Sequence, residues 1–432
     1  MNYFITAAYL LFFIFLLYAL RRYYTSALSP WFVIVIFITK IITGIIYRWI
    51  HAHYYNGGDT YTYFHYSQVL FNAMHKNPLD YIRLVFGPVG LPPEYLKMYI
   101  ADPNFPTDAS SYFIIRYNLL LLPISHGINT VHIIIYEFIT LWGLIFLYKF
   151  FLPYMRGKEL LLKGFIFFLP SVLFWCSGIH KDGFALTGLG LLLYGTDNVL
   201  KHPFKLSNAL QIIIGIILLL FSRLFMCFLI VPCLVSYAVC IWFPKYKVAK
   251  WFLVHAVFFL IAFNIKNFYY FSQLNQHYDL LGYLIFKQND FIDLTLSRAN
   301  LPVPRLQHNY FSLFSSIPYA LNHCLLRPHI FELTNVIQYP AAIENILIII
   351  VIITAIIFFS LKKVNVNLLL FLLFYCFTQF VLIGITVTNI GALVRYRAIG
   401  ILLFLIAMLL LINKDKLAKI KAILPHFIKN NI

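Results

Sequence analysis

SYFIIRYNLLLLPIS, residues 111–125, decides how the rest of the chain is threaded. It is apolar enough to enter a membrane but short for a crossing, which takes roughly 20 apolar residues over about 30 Å of hydrocarbon. It also carries Arg116 and Asn118 centrally and Pro123 near its end. If it crossed, the basic stretch from Arg156 to Lys163 and every later basic connection would change sides. Left out of the count, it lets the alternate connections sort by charge. It therefore reads as an interfacial or re-entrant helix on the outer face, because amphipathic helices lie in the headgroup plane.

Around it, about eleven apolar segments, within a range of roughly ten to thirteen, approach the crossing length. They run approximately 3–20, 31–50, 131–149, 161–176, 184–199, 207–221, 224–242, 250–265, 341–360, 365–386 and 398–412. One side then collects Arg21 and Arg22, then Arg156, Lys158 and Lys163, then Lys201 and Lys205, then Lys245, Lys247 and Lys250, then Lys362 and Lys363. The tail with Lys414, Lys416, Lys419, Lys421 and Lys429 joins them. The positive-inside rule makes that side cytoplasmic, with the N-terminus outside and the C-terminus inside. The expected architecture is an all-α, polytopic membrane bundle forming one integral domain over 1–432. Two large outer loops, 51–130 and 266–340, are rich in Tyr, Phe, Asn and Pro, and long ordered loops of this kind usually carry function.

Composition sets the class independently. The 432 residues are 62% hydrophobic, 19% aromatic and 11% charged, with a mean hydropathy of +0.82. Charged residues make up about a quarter of an ordinary soluble domain, so this is a membrane protein. The formal charge of +18 does not imply a nucleic-acid partner, because the basic residues cluster in short connections and at the C-terminus, where they set orientation and meet anionic lipid. The six cysteines form no CxxC pair and sit mostly in apolar spans, so neither a disulfide framework nor a zinc site is indicated. The first apolar run has no positive residue before it and is followed by Arg21 and Arg22, which fits a retained membrane helix. No Walker A, HExxH or GxSxG motif is present.

The unusual polar clusters fall on the other side. In GGDTYTYFHYS, from Gly57, Asp59 or Thr60 is placed to cap a helix whose Tyr63, Tyr66, Leu70 and Ala73 share one face. Functionally, Asp59 would be a general base or metal ligand at the membrane surface. PSVLFWCSGIHKDGF, from Pro170, puts His180, Lys181 and Asp182 in the outer turn of a hairpin. There Lys181 is either a solvated residue or a phosphate contact, and Asp182 caps the next helix or joins the catalytic carboxylate. Arg223 stands alone between two apolar runs, which is costly unless it snorkels or pairs. Arg327, Glu332, Arg395, Tyr396 and Arg397 complete the outer set. Each is individually compatible with a solvated surface, whereas the guanidinium fork suits phosphate. Together these residues are expected to line one cavity. Deeper in the membrane, Lys40 and Glu137 sit mid-span at matching depth on antiparallel helices, and buried charges of this kind usually pair.

An acidic residue in a large first outer loop, juxtamembrane helices, about a dozen spans and an outer arginine set resemble the GT-C superfamily of integral membrane glycosyltransferases. PSVLFWCSGIHKDGF, RPHIFELTNVIQYPAAIENIL and NIGALVRYR also resemble segments of bacterial envelope proteins grouped with glycosyltransferases or O-antigen polymerases. The resemblance implies a bacterial inner membrane, an extracytoplasmic site and transfer of a sugar from a polyprenyl-phosphate donor. Asp59 would take the acceptor proton, and the basic residues would hold the leaving phosphate. It leaves a divalent cation, the donor sugar, the acceptor and the oligomeric state open. Two alternatives remain: a polymerase or ligase of lipid-linked glycans, and a transporter or flippase of a lipid-linked anion.

Overall fold

The computed structural model describes residues 2–55, 57–87, 98–99, 102, 105–106, 108–264, 280–294, 303–333, 336–362 and 364–413. Among them the named elements are helical throughout: α1 (Asn2–Ala19), α2 (Pro30–His53), α3 (Asp59–Lys76), α4 (Pro78–Phe86), α5 (Ala109–Ser125), α6 (Asn129–Phe151), α7 (Glu159–Phe168), α8 (Pro170–Trp175), α9 (Lys181–Lys201), α10 (Leu206–Ser222), α11 (Leu224–Trp242), α12 (Lys247–Asn264), α13 (Leu280–Leu294), α14 (Tyr310–Leu326), α15 (Tyr339–Ile357), α16 (Val366–Thr386) and α17 (Ile390–Leu411). Eight helices among the described residues are long and apolar enough to cross a membrane: α1, α2, α6, α11, α12, α15, α16 and α17. The chain is thus a multi-pass helical membrane protein. Lys363 and the tail lysines Lys414, Lys416, Lys419, Lys421 and Lys429 lie outside the described residues.

Contacts divide the chain into two compact units, Met1–Leu152 with Val172–Cys227, and Pro153–Ser171 with Phe228–Ile432. In the first, α9 packs along α10 and α6, α2 and α1 lie on α6, and α3 packs on α5 and α4. Helix starts follow local chemistry. Ser29 accepts the amide of Phe32 just ahead of Pro30, and Asp108 accepts the amide of Ser111 at 2.9 Å to begin α5. The face of α3 read from its spacing is a core face, with Tyr63, Tyr66, Leu70 and Ala73 all buried.

Helix α5 (Ala109–Ser125) contains the segment 111–125. Its central polar residues face protein. Arg116 donates to the carbonyls of Leu84 (3.0 Å) and Gly87 (2.6 Å) and lies over the ring of Tyr112. Asn118, fully buried, meets His132 Nδ1 at 2.8 Å, while Ser125 Oγ meets Nε2 of the same ring at 2.7 Å. Sequence spacing gives the positions of polar groups along a helix, but not which neighbour they face.

Lys40 and Glu137 do pair. Lys40 Nζ lies 2.9 Å from Glu137 Oε2, with the two side chains 1% and 0% exposed. The ammonium also donates to the Cys176 carbonyl (3.1 Å) and to Ser177 Oγ (3.2 Å). The ion pair between α2 and α6 therefore holds the chain just before α9.

In the second unit α16 packs on α14, α13 and α17, and α17 also receives α15 and α7. The segment expected to cross at 161–176 is built of two short helices, α7 and α8, separated at Leu169. Pro170 has no N–H, and its ring forces Leu169 out of the helical region, to ψ 121. The amide of Ser171, left without a helical acceptor, donates at 2.6 Å to the buried carboxylate of Glu344.

Candidate functional site

The site in the first unit is built on the short connection Cys176–His180. Gly178 packs where a Cβ would overlap the ring of Tyr47, and one at Gly183 would overlap the Tyr136 hydroxyl. SGIHKDG is glycine-punctuated because α2 and α6 press on this connection. Tyr136 donates to the His180 carbonyl at 2.6 Å, and Thr60 donates to the Ile179 carbonyl at 3.4 Å. With Lys40 holding Cys176 and Ser177, the backbone that presents His180 is fixed from three helices.

His180 is fully buried, and both its ring nitrogens face carboxylates. Nε2 lies 3.0 Å from Asp59 Oδ2, and Nδ1 lies 3.1 Å from Asp182 Oδ2. A neutral imidazole carries one N–H, so donating to both carboxylates requires a proton on each nitrogen. Asp182 is held in turn by Arg223, whose Nε and Nη2 lie 2.8 and 2.7 Å from Oδ1. Asp59, His180, Asp182 and Arg223 thus form a continuous chain of polar contacts. Its inner members are 0%, 5% and 10% exposed, whereas the Asp59 side chain is 51% exposed. Asp59 is thus the solvent-facing end of the chain.

Asp59 is not a helix cap. The capping position of α3 is Gly58, with φ 91, preceded by Gly57 with φ 125, and both values suit only glycine. The glycine pair places Asp59 in the first helical turn, where its carboxylate reaches His180. Arg223 lies at the break between α10 and α11, with φ −146 and ψ 77, and satisfies its charge on Asp182.

Lys181 turns to the other side, donating to Ser111 Oγ (2.8 Å) and Asp108 Oδ1 (3.3 Å) and lying near the ring of Tyr63. Burial lowers the affinity of its amine for a proton, helped by the charge of Arg223 and opposed by Asp108. Burial alone would raise the pKa of Asp108. Hydrogen bonds from Ser110 and Ser111 and the charge of Lys181 outweigh it and hold the carboxyl well below its usual range. Lys181 is thus a strut between α9 and the start of α5 before it is anything else.

The remaining sequence-derived candidates lie in the second unit. Arg327 pairs with Glu332 at 3.3 Å, and Glu332 also accepts the His329 amide at 3.1 Å. Arg395 lies over the ring of the adjacent Tyr396. Arg397, 1% exposed, donates to the carbonyls of Cys324 and Arg327 and to Asn345 Oδ1. A guanidinium committed to two carbonyls and an amide braces the Arg327 turn. Asn389, in the same motif, caps α17 by accepting the Ala392 amide.

The chain Asp59–His180–Asp182–Arg223 therefore unites three of the nine sequence candidates around a histidine that had no definite role in the sequence reading, with Lys181 the next residue along. Proximity of Asp182 in sequence was the only signal for His180. Tyr136 and Asp108, which position the site, carried none. Among the described residues no group of three or more His, Cys, Asp or Glu is arranged to hold a metal ion. Here the two carboxylates take opposite nitrogens of one ring. Comparison with protein-family models, curated proteins and solved structures finds no match to this chain.

Proposed function

We propose that this protein is a GT-C-like membrane glycosyltransferase that moves a sugar from a polyprenyl-phosphate donor to a hydroxyl acceptor at the extracytoplasmic face. The observation that carries the proposal is a half-exposed carboxylate, Asp59, backed by a fully buried imidazole that is itself oriented by a carboxylate and a guanidinium. Such a base–orienter arrangement is suited to proton transfer at a fixed point. Asp59 takes the proton of the acceptor hydroxyl as its oxygen attacks the anomeric carbon. The bond from that carbon to the phosphate oxygen breaks, and the lipid phosphate leaves with the electron pair. His180, charged when it donates to both carboxylates, balances the local negative charge. The proposal includes about eleven crossings, α9 and α10 among them, with the basic connections in the cytoplasm of a bacterial inner membrane.

A polymerase or ligase of lipid-linked glycans would use the same step. The buried Lys40–Glu137 pair favours a second reading, a transporter of a lipid-linked anion, since charges at that depth accompany ion pathways. The two separate in one experiment. In cells, Asp59→Asn is expected to cause a polyprenyl-linked sugar to accumulate, as deletion of the gene does, with the protein still inserted at normal levels. Loss of a general base slows transfer by about 10²–10⁴-fold. Wild-type glycolipid profiles from Asp59→Asn, in a background where deletion alters them, would refute the transferase. Accumulation of the lipid-linked sugar on the cytoplasmic leaflet instead of the outer one would support the transporter.

A further inference from the structure

A second polar site lies in the first unit, at the far end of α9 from His180. A cavity of about 470 Å³ is lined by Lys149, Tyr194, His202, Lys205, Asn208 and Gln211, among others. At about 1.5 Å per residue, Tyr194 to His202 lie roughly 20–30 Å along α9 from the carboxylate site. Its chemistry is different. Among the described residues no carboxylate lines it, and two ammonium groups do. Lys149 is held in place by the Tyr23 carbonyl (3.1 Å) and the face of Tyr194. Lys205, the capping position of α10, and Ser207 and Asn208 of its first turn contribute to the wall. The helix begins without a side-chain cap, and although the Asn208 amide donates to the Lys205 carbonyl at 3.0 Å, the positive end of the helix dipole favours an anion there.

One polar side-chain atom in the wall lacks a partner. Gln211 Oε1 is buried and has no hydrogen-bond partner among the described residues. Asn208 is only 8% exposed. A buried carbonyl oxygen left unpaired is costly, and what it lacks is a donor. An inorganic anion satisfies the lysines and the helix start but brings little to Gln211. A phosphate ester bearing hydroxyl groups satisfies both, with its charge between Lys149 and Lys205 and its hydroxyls on Gln211 and Asn208. The aromatic walls, Tyr194 among them, suit the carbon face of a small polyol.

We propose that this cavity binds a hydroxyl-bearing phosphate ester, either the headgroup of an anionic phospholipid such as phosphatidylglycerol or a soluble polyol phosphate. The proposal is independent of the glycosyl-transfer chemistry, since none of its residues belongs to the Asp59 chain.

The test uses full-length protein purified in a neutral detergent. Thermal unfolding is followed against inorganic phosphate and glycerol 3-phosphate, and in nanodiscs of phosphatidylcholine with increasing phosphatidylglycerol. Saturable stabilisation is expected, stronger with glycerol 3-phosphate than with phosphate. Lys149→Gln and Lys205→Gln should each weaken it about fivefold, and the pair about 25-fold, the scale of one ammonium per phosphate near a membrane surface. Gln211→Leu should erase the preference for glycerol 3-phosphate over phosphate. Stabilisation by the soluble ester in detergent identifies a soluble ligand, and stabilisation only by phosphatidylglycerol identifies a lipid headgroup. If the double variant does not fold, Lys205→Gln, at an exposed position, carries the same test. No saturable stabilisation by any probe, or equal affinity in the lysine variants, overturns the proposal.

Discussion

Replacing Lys40 by Met is the most direct probe of how the membrane-buried charges support the site. The substitution removes the partner of Glu137 and leaves a carboxylate 0% exposed among apolar helices. Breaking a buried ion pair from one side costs about 3–5 kcal/mol. Glu137→Leu should cost a similar amount, because the ammonium, 1% exposed, is then stranded. The double variant is the informative one. It removes both charges, so the stranded-charge penalty disappears. What remains is the loss of the donor to the Cys176 carbonyl and Ser177, about 1–3 kcal/mol for a buried acceptor left unmade. The singles should therefore sum to about 6–10 kcal/mol and the double to about 1–3. Reversible unfolding in mixed micelles titrated with SDS, followed by tryptophan fluorescence, measures all four corners of the cycle. Additive effects, or a Lys40→Met variant within about 0.5 kcal/mol of wild type, the ordinary scale of a surface substitution, would refute the ion pair as a support of the Cys176–His180 connection.

Two further perturbations test the same unit. Gly178→Ala should destabilise by about 1–3 kcal/mol through overpacking, because its Cβ would overlap the Tyr47 ring; Tyr47→Leu in the same chain should recover part of the loss in the same unfolding assay. Asp108 has a pKa below its unfolded value, so its contribution to stability is fully present above about pH 4 and is lost as the pH falls through the folded pKa. Asp108→Asn keeps an acceptor for the α5 cap but removes the charge, so the acid limb of the thermal midpoint between about pH 2 and 4 should flatten, and an unchanged limb would show that Lys181 does not rely on Asp108.

Much of the candidate site was legible one residue at a time and illegible as a set. Asp59, Lys181, Asp182 and Arg223 stood out because charge beside an apolar run is expensive and therefore noticeable. The same logic singled out Arg397, and a costly arginine is satisfied equally well by carbonyls and an amide as by a ligand. His180 passed without a definite role because a histidine in a turn is common, and the carboxylate that gives it meaning is 121 residues away.

The sequence by itself determined the helical membrane class, most of the long apolar spans, the core face of α3 and even the Lys40–Glu137 pair. Each of these follows from composition, from a period of 3.6 residues, or from depth counted along a helix, and all three are local in the chain. Only the tertiary structure decided that Arg116 and Asn118 face protein, that Pro170 divides α7 from α8 with Glu344 receiving the freed amide, and that one buried imidazole joins Asp59 to Asp182. Those outcomes depend on which helices become neighbours and on their rotation about their axes, and a hydrogen bond is specified by both.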